Sequence, residues 1–137
     1  MIVRCFKDLN AWQKSMDLAV MVYEKVKFLP KEEMFSLSSQ MRRAAISIPS
    51  NIAEGQQRKS LRDFLRFLLI ANGSLGELET QLILCERLNY LKSEEMGLLM
   101  VQCSETGKLL NGLMNSVQQQ IQKQTDKRTL PESGSNN

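Results

Sequence analysis

Four runs of apolar residues, each spaced by steps of three and four, constrain this chain more than any other feature. The first places Leu9, Trp12, Met16, Ala19, Tyr23 and Val26 in one stripe. The second holds Leu37, Met41, Ala44, Ala45, Ile48 and Ile52. The third and longest carries Leu61, Phe64, Leu68, Ala71, Leu75, Leu78, Leu82 and Cys85. The fourth runs through Met96, Met100, Cys103, Gly107, Leu110, Leu113, Val117 and Ile121. At about 100° per residue, such spacing collects each set on one face of a helix. Leu and Met are abundant and β-branched residues few, which also favours helix over strand.

The breaks between the runs are chemically distinct. Asp8 or Asn10 can cap the first helix, which extends to about Phe28, and Leu29-Pro30 ends it because proline disfavours helical geometry in the residue before it. Pro30 to Glu33 forms a short turn, and Ser36 can cap a second helix over Leu37 to Gln56. Pro49 lies inside that helix, where its missing N–H predicts a kink; the apolar spacing continues in phase through Ile52, so a stop is not expected. Gly55 offers a natural end, Gln56 to Ser60 makes a polar corner, and Ser60 caps a third helix over Leu61 to Tyr90. Asn89 to Lys92 turns the chain again. Ser93, followed by Glu94 and Glu95 near the positive end of the dipole, starts a fourth helix that reaches about Gln122.

Four long helices with short connections predict an all-α, antiparallel up-down-up-down bundle. With 137 residues there is room for one core, so residues 1–122 are read as the bundle. Residues 123–137, polar and carrying Pro131, are read as a disordered C-terminal tail.

Beside the apolar stripe of the second helix lies a polar one: Gln40, Arg43, Ser47, Asn51, Glu54 and Arg58. Ser, Asn and Gln are mediocre helix formers, so propensity does not explain them; they suit hydrogen bonding to a neighbouring helix or subunit. Gly73 and Gly76 each cost the third helix about 1 kcal/mol relative to alanine. Their spacing suggests close approach of another backbone, with Ala44, Ala45 and Ala53 as the counterpart, or else glycine merely tolerated in a long helix. Phe67, Ile70, Leu98, Val101 and Leu109 fall off the main seams, leftover apolar surface that points to self-association. Trp12, in register with its stripe, reads as a core anchor before a base-stacking platform.

Several chemistries are excluded. The chain has no histidine, which removes imidazole acid-base catalysis, Ser-His and Cys-His nucleophiles, and every metal site with an imidazole ligand. Glu77 and Glu79, two apart on a helix, do not converge, so no catalytic residues, metal or cofactor are assigned. Cys5, Cys85 and Cys103 are odd in number and widely spaced, which argues against a disulfide framework and for a reducing, cytoplasmic setting; the last two fall in apolar register as small core side chains. Neither a signal peptide nor a run of about 20 apolar residues is present, so no membrane role is expected.

One family fits the residues in order: Leu9-x-x-Trp12-Gln13, then Phe35-x-Leu37-x-x-Gln40-x-Arg42-Arg43-Ala44-x-x-Ser47-Ile48, then Asn51-Ile52-Ala53-Glu54-Gly55, then Phe64-x-x-Phe67-Leu68-x-x-Ala71-x-Gly73-Ser74-x-x-Glu77. From Leu9 to Leu91 the chain resembles the bacterial 23S rRNA intervening-sequence proteins. The Asn-Ile-Ala-Glu-Gly string with the upstream Gln-x-Arg-Arg carries most of the specificity. The resemblance implies a left-handed four-helix bundle assembling as a homopentamer. It extends distantly to the accessory variability determinant proteins of diversity-generating retroelements, where a basic pentamer binds protein and nucleic acid. It supplies no catalytic residue.

The net charge of +3 is mild, yet Arg42, Arg43, Arg58, Lys59, Arg62 and Arg66 face only Glu54 and Asp63 within their stretch. Arginine suits bidentate phosphate contact, and phosphate contacts gain affinity through counterion release. Arg42, Arg58, Lys59, Arg62 and Arg66 are therefore the candidate nucleic-acid contacts, whereas Gln40, Arg43, Ser47, Asn51 and Glu54 form the inter-helix or subunit stripe. The expected function is binding without catalysis, with RNA the first ligand class. A scaffold for an acidic protein partner is the alternative, since both readings predict salt-sensitive binding.

Overall fold

Each apolar stripe forms a helix. The computed structural model describes residues 5–129. It contains a 3-10 turn (Phe6–Asp8), α1 (Asn10–Val26), a second 3-10 turn (Lys31–Glu33), α2 (Leu37–Gln57), α3 (Leu61–Arg87) and α4 (Ser93–Thr129). Helices adjacent in sequence pack side by side, α4 closes against α1, and the two diagonal pairs stay apart. The result is a square, antiparallel up-down-up-down four-helix bundle. α2 runs unbroken through Pro49, which is itself buried.

The seams of α2 and α3 are those the spacing predicts. On α4, Met96, Cys103, Leu110 and Val117 are buried as expected, but Leu99, Thr106 and Met114 are buried while the expected Met100, Gly107, Leu113 and Ile121 are half-buried. Met41, Ile48 and Ile52 meet Leu68, Leu78 and Leu82, and Leu99, Cys103 and Leu110 complete the core. Cys85 and Cys103 are fully buried, and burial pushes their thiols up to about 11 and about 12.

α1 departs from its expected register. Its inward residues are Ala11, Ser15, Leu18, Val22 and Val26. Of the predicted stripe Leu9, Ala19 and Val26 are buried; Met16 and Tyr23 are exposed and Trp12 is half-buried, edge-on to Phe6 with ring centroids 5.4 Å apart. Ser15 explains the shift. Its hydroxyl donates to the Trp12 carbonyl at 2.8 Å, so a small polar side chain enters the core with its hydrogen bond made. The larger apolar residues are rotated toward α2.

The helix ends differ in chemistry. Ser60 caps α3 as expected, its Oγ accepting from the Asp63 N–H at 3.2 Å. Neither Asp8 nor Asn10 caps α1, whose N-cap is Leu9, and Ser36 turns its hydroxyl to Glu33 instead of to α2. α3 stops at Arg87, and Asn89 takes the positive φ (60°) that turns the chain into α4. α4 continues past Gln122 to Thr129, because Lys, Gln and Arg sustain a helix without a core beneath them. The expected tail thus begins as helix, and residues 130–137 lie outside the described residues.

Of the two glycine readings, toleration in a long helix is the one that fits Gly73 and Gly76. A Cβ at Gly73 or Gly76 would meet nothing within 4 Å. A Cβ at Gly55 would sit 2.7 Å from Phe67 Cβ and 3.0 Å from Phe64 Cδ1. Gly55 therefore lies inside α2 as its point of closest approach to α3, and the helix ends two residues later at Gln57.

Candidate nucleic-acid interface

The α2–α3 corner is set by that close approach. Gly55 lets the start of α3 lie against α2, which brings Phe67 beside the end of the helix. Arg58 and Arg66 then stack on the Phe67 ring, their guanidinium carbons 5.0 Å and 4.5 Å from its centroid. Phe67, an off-seam residue expected to add apolar surface for self-association, is instead the platform that orients two arginines.

Both arginines also have acidic neighbours. Arg58 donates to Glu54 at 2.8 Å, and Arg66 lies 3.8 Å from Asp63. These are exposed pairs, worth little in water, and they leave most guanidinium N–H groups unused. Lys59 and Arg62 are exposed with no carboxylate in ion-pair range among the described residues. Arg42 stands apart from this group: it is half-buried on the side of α2 toward α1, roughly 24 Å up the helix from Arg58 at 1.5 Å per residue.

The polar stripe divides. Ser47 and Asn51 face α3, where Ser47 Oγ and Ser74 Oγ lie 2.7 Å apart and Asn51 Nδ2 donates to the Ser47 carbonyl and hydroxyl at 2.7 and 2.9 Å. The Ser47–Ser74 bond joins α2 to α3, whereas those of Asn51 stay within α2. Gln40, Arg43 and Glu54 remain exposed.

α4 adds what the sequence did not combine. It is antiparallel to α3, and Ile121 and Gln122 sit opposite Arg62 and Leu65. The turns beyond Ile121 therefore carry α4 about 12 Å further toward and past the end that holds the corner. They bring Lys123, Lys127 and Arg128 to the same pole as Arg58, Lys59, Arg62 and Arg66. The opposite pole mixes Glu32, Glu33, Glu86, Glu94 and Glu95 with Lys27, Lys31, Arg87 and Lys92. The signal for the extra cations is a Gln- and Lys-rich run that continues the helix into the expected tail.

Two clefts flank the first turns of α3. One, of about 470 Å³, lies between Arg62 and Arg66 on one wall and Gln118 and Gln122 on the other. The second, of about 330 Å³, opens between the corner and α4, with Lys59, Phe64, Ser116 and Gln120 among its lining. No group of three or more His, Cys, Asp or Glu side chains fit to hold a metal occurs among the described residues. Nor is any of the described helices long and apolar enough to cross a membrane.

A further groove lies between α1 and α2. It encloses about 620 Å³ and is almost wholly apolar, lined by Trp12, Met16, Val20, Tyr23, Ile46 and Ala53. Elsewhere Ile70, Leu98 and Val101 are exposed, as their off-seam positions suggest, whereas Leu109 packs against the core.

Comparison with known proteins agrees with this architecture. The family model for the 23S rRNA-intervening sequence protein matches residues 7–112. A crystal structure of a protein of unknown function from the S23 ribosomal protein family of Bacteroides thetaiotaomicron is similar, with a TM-score of 0.71 and 33% sequence identity. The similarity covers 77% of this chain and 95% of that one. No curated protein matches. The family match stops before the lower part of α4, so the overhanging cations lie outside it.

Proposed function

The chain belongs to the 23S rRNA-intervening sequence protein family, and from that premise we propose that it binds RNA through the basic pole of the bundle, without catalysis. The observation that carries this reading is the convergence of Arg58, Lys59, Arg62 and Arg66 with Lys123, Lys127 and Arg128 at one end of the molecule. Segments far apart in sequence supply one electrostatic surface. Such a surface engages phosphates by releasing counterions, and stacking on Phe67 holds two of its arginines in place beforehand.

The same reading makes the protein a cytoplasmic homo-oligomer. The apolar groove between α1 and α2 and the exposed Ile70, Leu98 and Val101 lie on different faces, a pairing that suits a head-to-tail contact. Repetition of such a contact closes a ring, for which the family resemblance implies five copies. A ring would repeat the basic pole and multiply its field.

Fluorescence anisotropy with a structured RNA at low and moderate salt tests the reading. Wild type is expected to bind with affinity that falls steeply as salt rises. Substituting Arg58, Lys59, Arg62 and Arg66 with glutamine should abolish most binding while helix content is retained. Absence of binding at low salt would refute RNA as the ligand. Salt-sensitive capture of an acidic protein that RNA cannot displace would favour the scaffold reading instead.

A further inference from the structure

We infer that the cleft between the α2–α3 corner and α4 holds one unpaired nucleotide of a bound strand, an inference that rests on the RNA-binding reading above. The cleft exists because α1 is short. α1 begins at Asn10, beside the stretch of α4 that includes Leu109 and Leu113, while α3 reaches down to Ile121. Leu9 closes the cleft on the α1 side, and beyond it the space between the corner and α4 opens as a pocket.

Its lining matches a nucleotide part by part. Lys59 and Arg58 stand on the corner side, in position to meet a phosphate. Phe64 and Leu61 provide an aromatic and apolar floor, the surface on which a base stacks. Ser116 and Gln120 on α4 offer both donors and acceptors, which suits the hydrogen-bonding edge of an unpaired base. Ser116, Gln120, Lys123 and Lys127 follow one another at helical spacing on α4, so a strand leaving the cleft meets two more cations along the overhang.

Size and chemistry argue against a duplex. A volume of about 330 Å³ is at the small end of ligand pockets, enough for one nucleotide and far too small for a double helix. In a duplex, moreover, base faces are already stacked, so the floor of Phe64 and Leu61 would have no partner. A loop or bulge presents what the cleft can use.

The test compares three labelled probes by anisotropy: an RNA hairpin with an unpaired loop, a blunt RNA duplex of the same stem, and the DNA counterpart of the hairpin. Wild type is expected to prefer the RNA hairpin to the duplex by about tenfold, the size of one base stack. Ser116→Trp fills the cleft while leaving every charge in place, and Gln120→Glu sets a carboxylate at its mouth. Both should reduce hairpin affinity to the duplex level. If Ser116→Trp loses helix content, the exposed Gln120→Glu decides the question. A preference for either hairpin over the duplex that the variants erase supports the cleft, and the tighter of the two identifies the sugar. Equal binding of hairpin and duplex by wild type, or a preference that survives the folded variants, would overturn the inference and leave the RNA-binding reading standing. No binding of any probe at low salt would refute both.

Discussion

The two flanks of α2 solve opposite problems. Toward α3 the helix is sealed: Gly55 admits the α3 backbone, Ser47 and Ser74 bond across the interface, and Cys85 packs against Met41 with sulfurs 3.5 Å apart. Toward α1 the same helix leaves Ile46, Pro49 and Ala53 lining an open apolar groove. Burial is complete where small and polar residues meet with their bonds made, and incomplete where the large apolar residues gather. The sealed flank is committed to the fold; the open flank leaves its apolar surface uncovered.

Substitutions that respect or violate this difference should separate folding from assembly. Gly55→Ala should be the most damaging, costing about 2 kcal/mol in urea denaturation: overpacking costs about 1–3 kcal/mol and outweighs the helix-propensity gain. A cost near zero would mean that the two helices can move apart freely. Ser74→Ala should cost about 1 kcal/mol, one interhelical hydrogen bond, with Asn51 still bonded to Ser47. Gly73→Ala should have the opposite sign, raising stability by ~0.5–1 kcal/mol, because its Cβ enters open space on a helix. On the open flank, Val20→Ser should change folding stability by no more than ~0.5 kcal/mol, yet lower the sedimentation coefficient if that groove seats a second copy. Unchanged assembly would move the contact elsewhere.

Alkaline pH probes the sealed flank by another route. The Cys85 thiol is pushed up to about 11 from an ordinary value of 9.0, first by burial and then by the charge on Glu33. Its contribution to stability is full below about pH 9. As pH rises from 9 toward 11 the unfolded chain releases a proton that the folded chain keeps, so stability falls. Thermal melting across that range should show the decline, and Cys85→Ala should lessen it, leaving the share of Cys103, whose thiol is pushed up to about 12.

How much of this was legible follows from what each feature depends on. The seams of α2 and α3 were readable because large apolar residues at helical spacing have few other places to go, whereas on α4 only alternate positions of the expected seam are buried. The α1 seam was not, because the hydrogen bond that admits Ser15 to the core is a property of the folded helix, and polarity alone placed it outside. Gly55 and Gly73 look alike in sequence, and only the neighbouring helix distinguishes a forced glycine from a tolerated one. Arg58, Lys59, Arg62 and Arg66 were recognisable as a local cluster. Their alignment with Lys123, Lys127 and Arg128 required knowing that α4 runs antiparallel to α3 and past its end. Arg42 was grouped with them by proximity along the chain, a poor guide once a helix intervenes.

The overhang of α4 has a consequence for how stability is distributed within a single helix. Leu99, Cys103 and Leu110 are locked in the core, whereas the residues after Ile121 lie outside the core cluster and include local pairs such as Gln122 with Asp126. Two turns by themselves are marginal in water. Amide hydrogen exchange should therefore form a gradient along α4, slowest around Cys103 and fastest toward Thr129. One element thereby serves as its own internal clock: protection at its free end would register a bound strand, and protection at its centre would register only global unfolding.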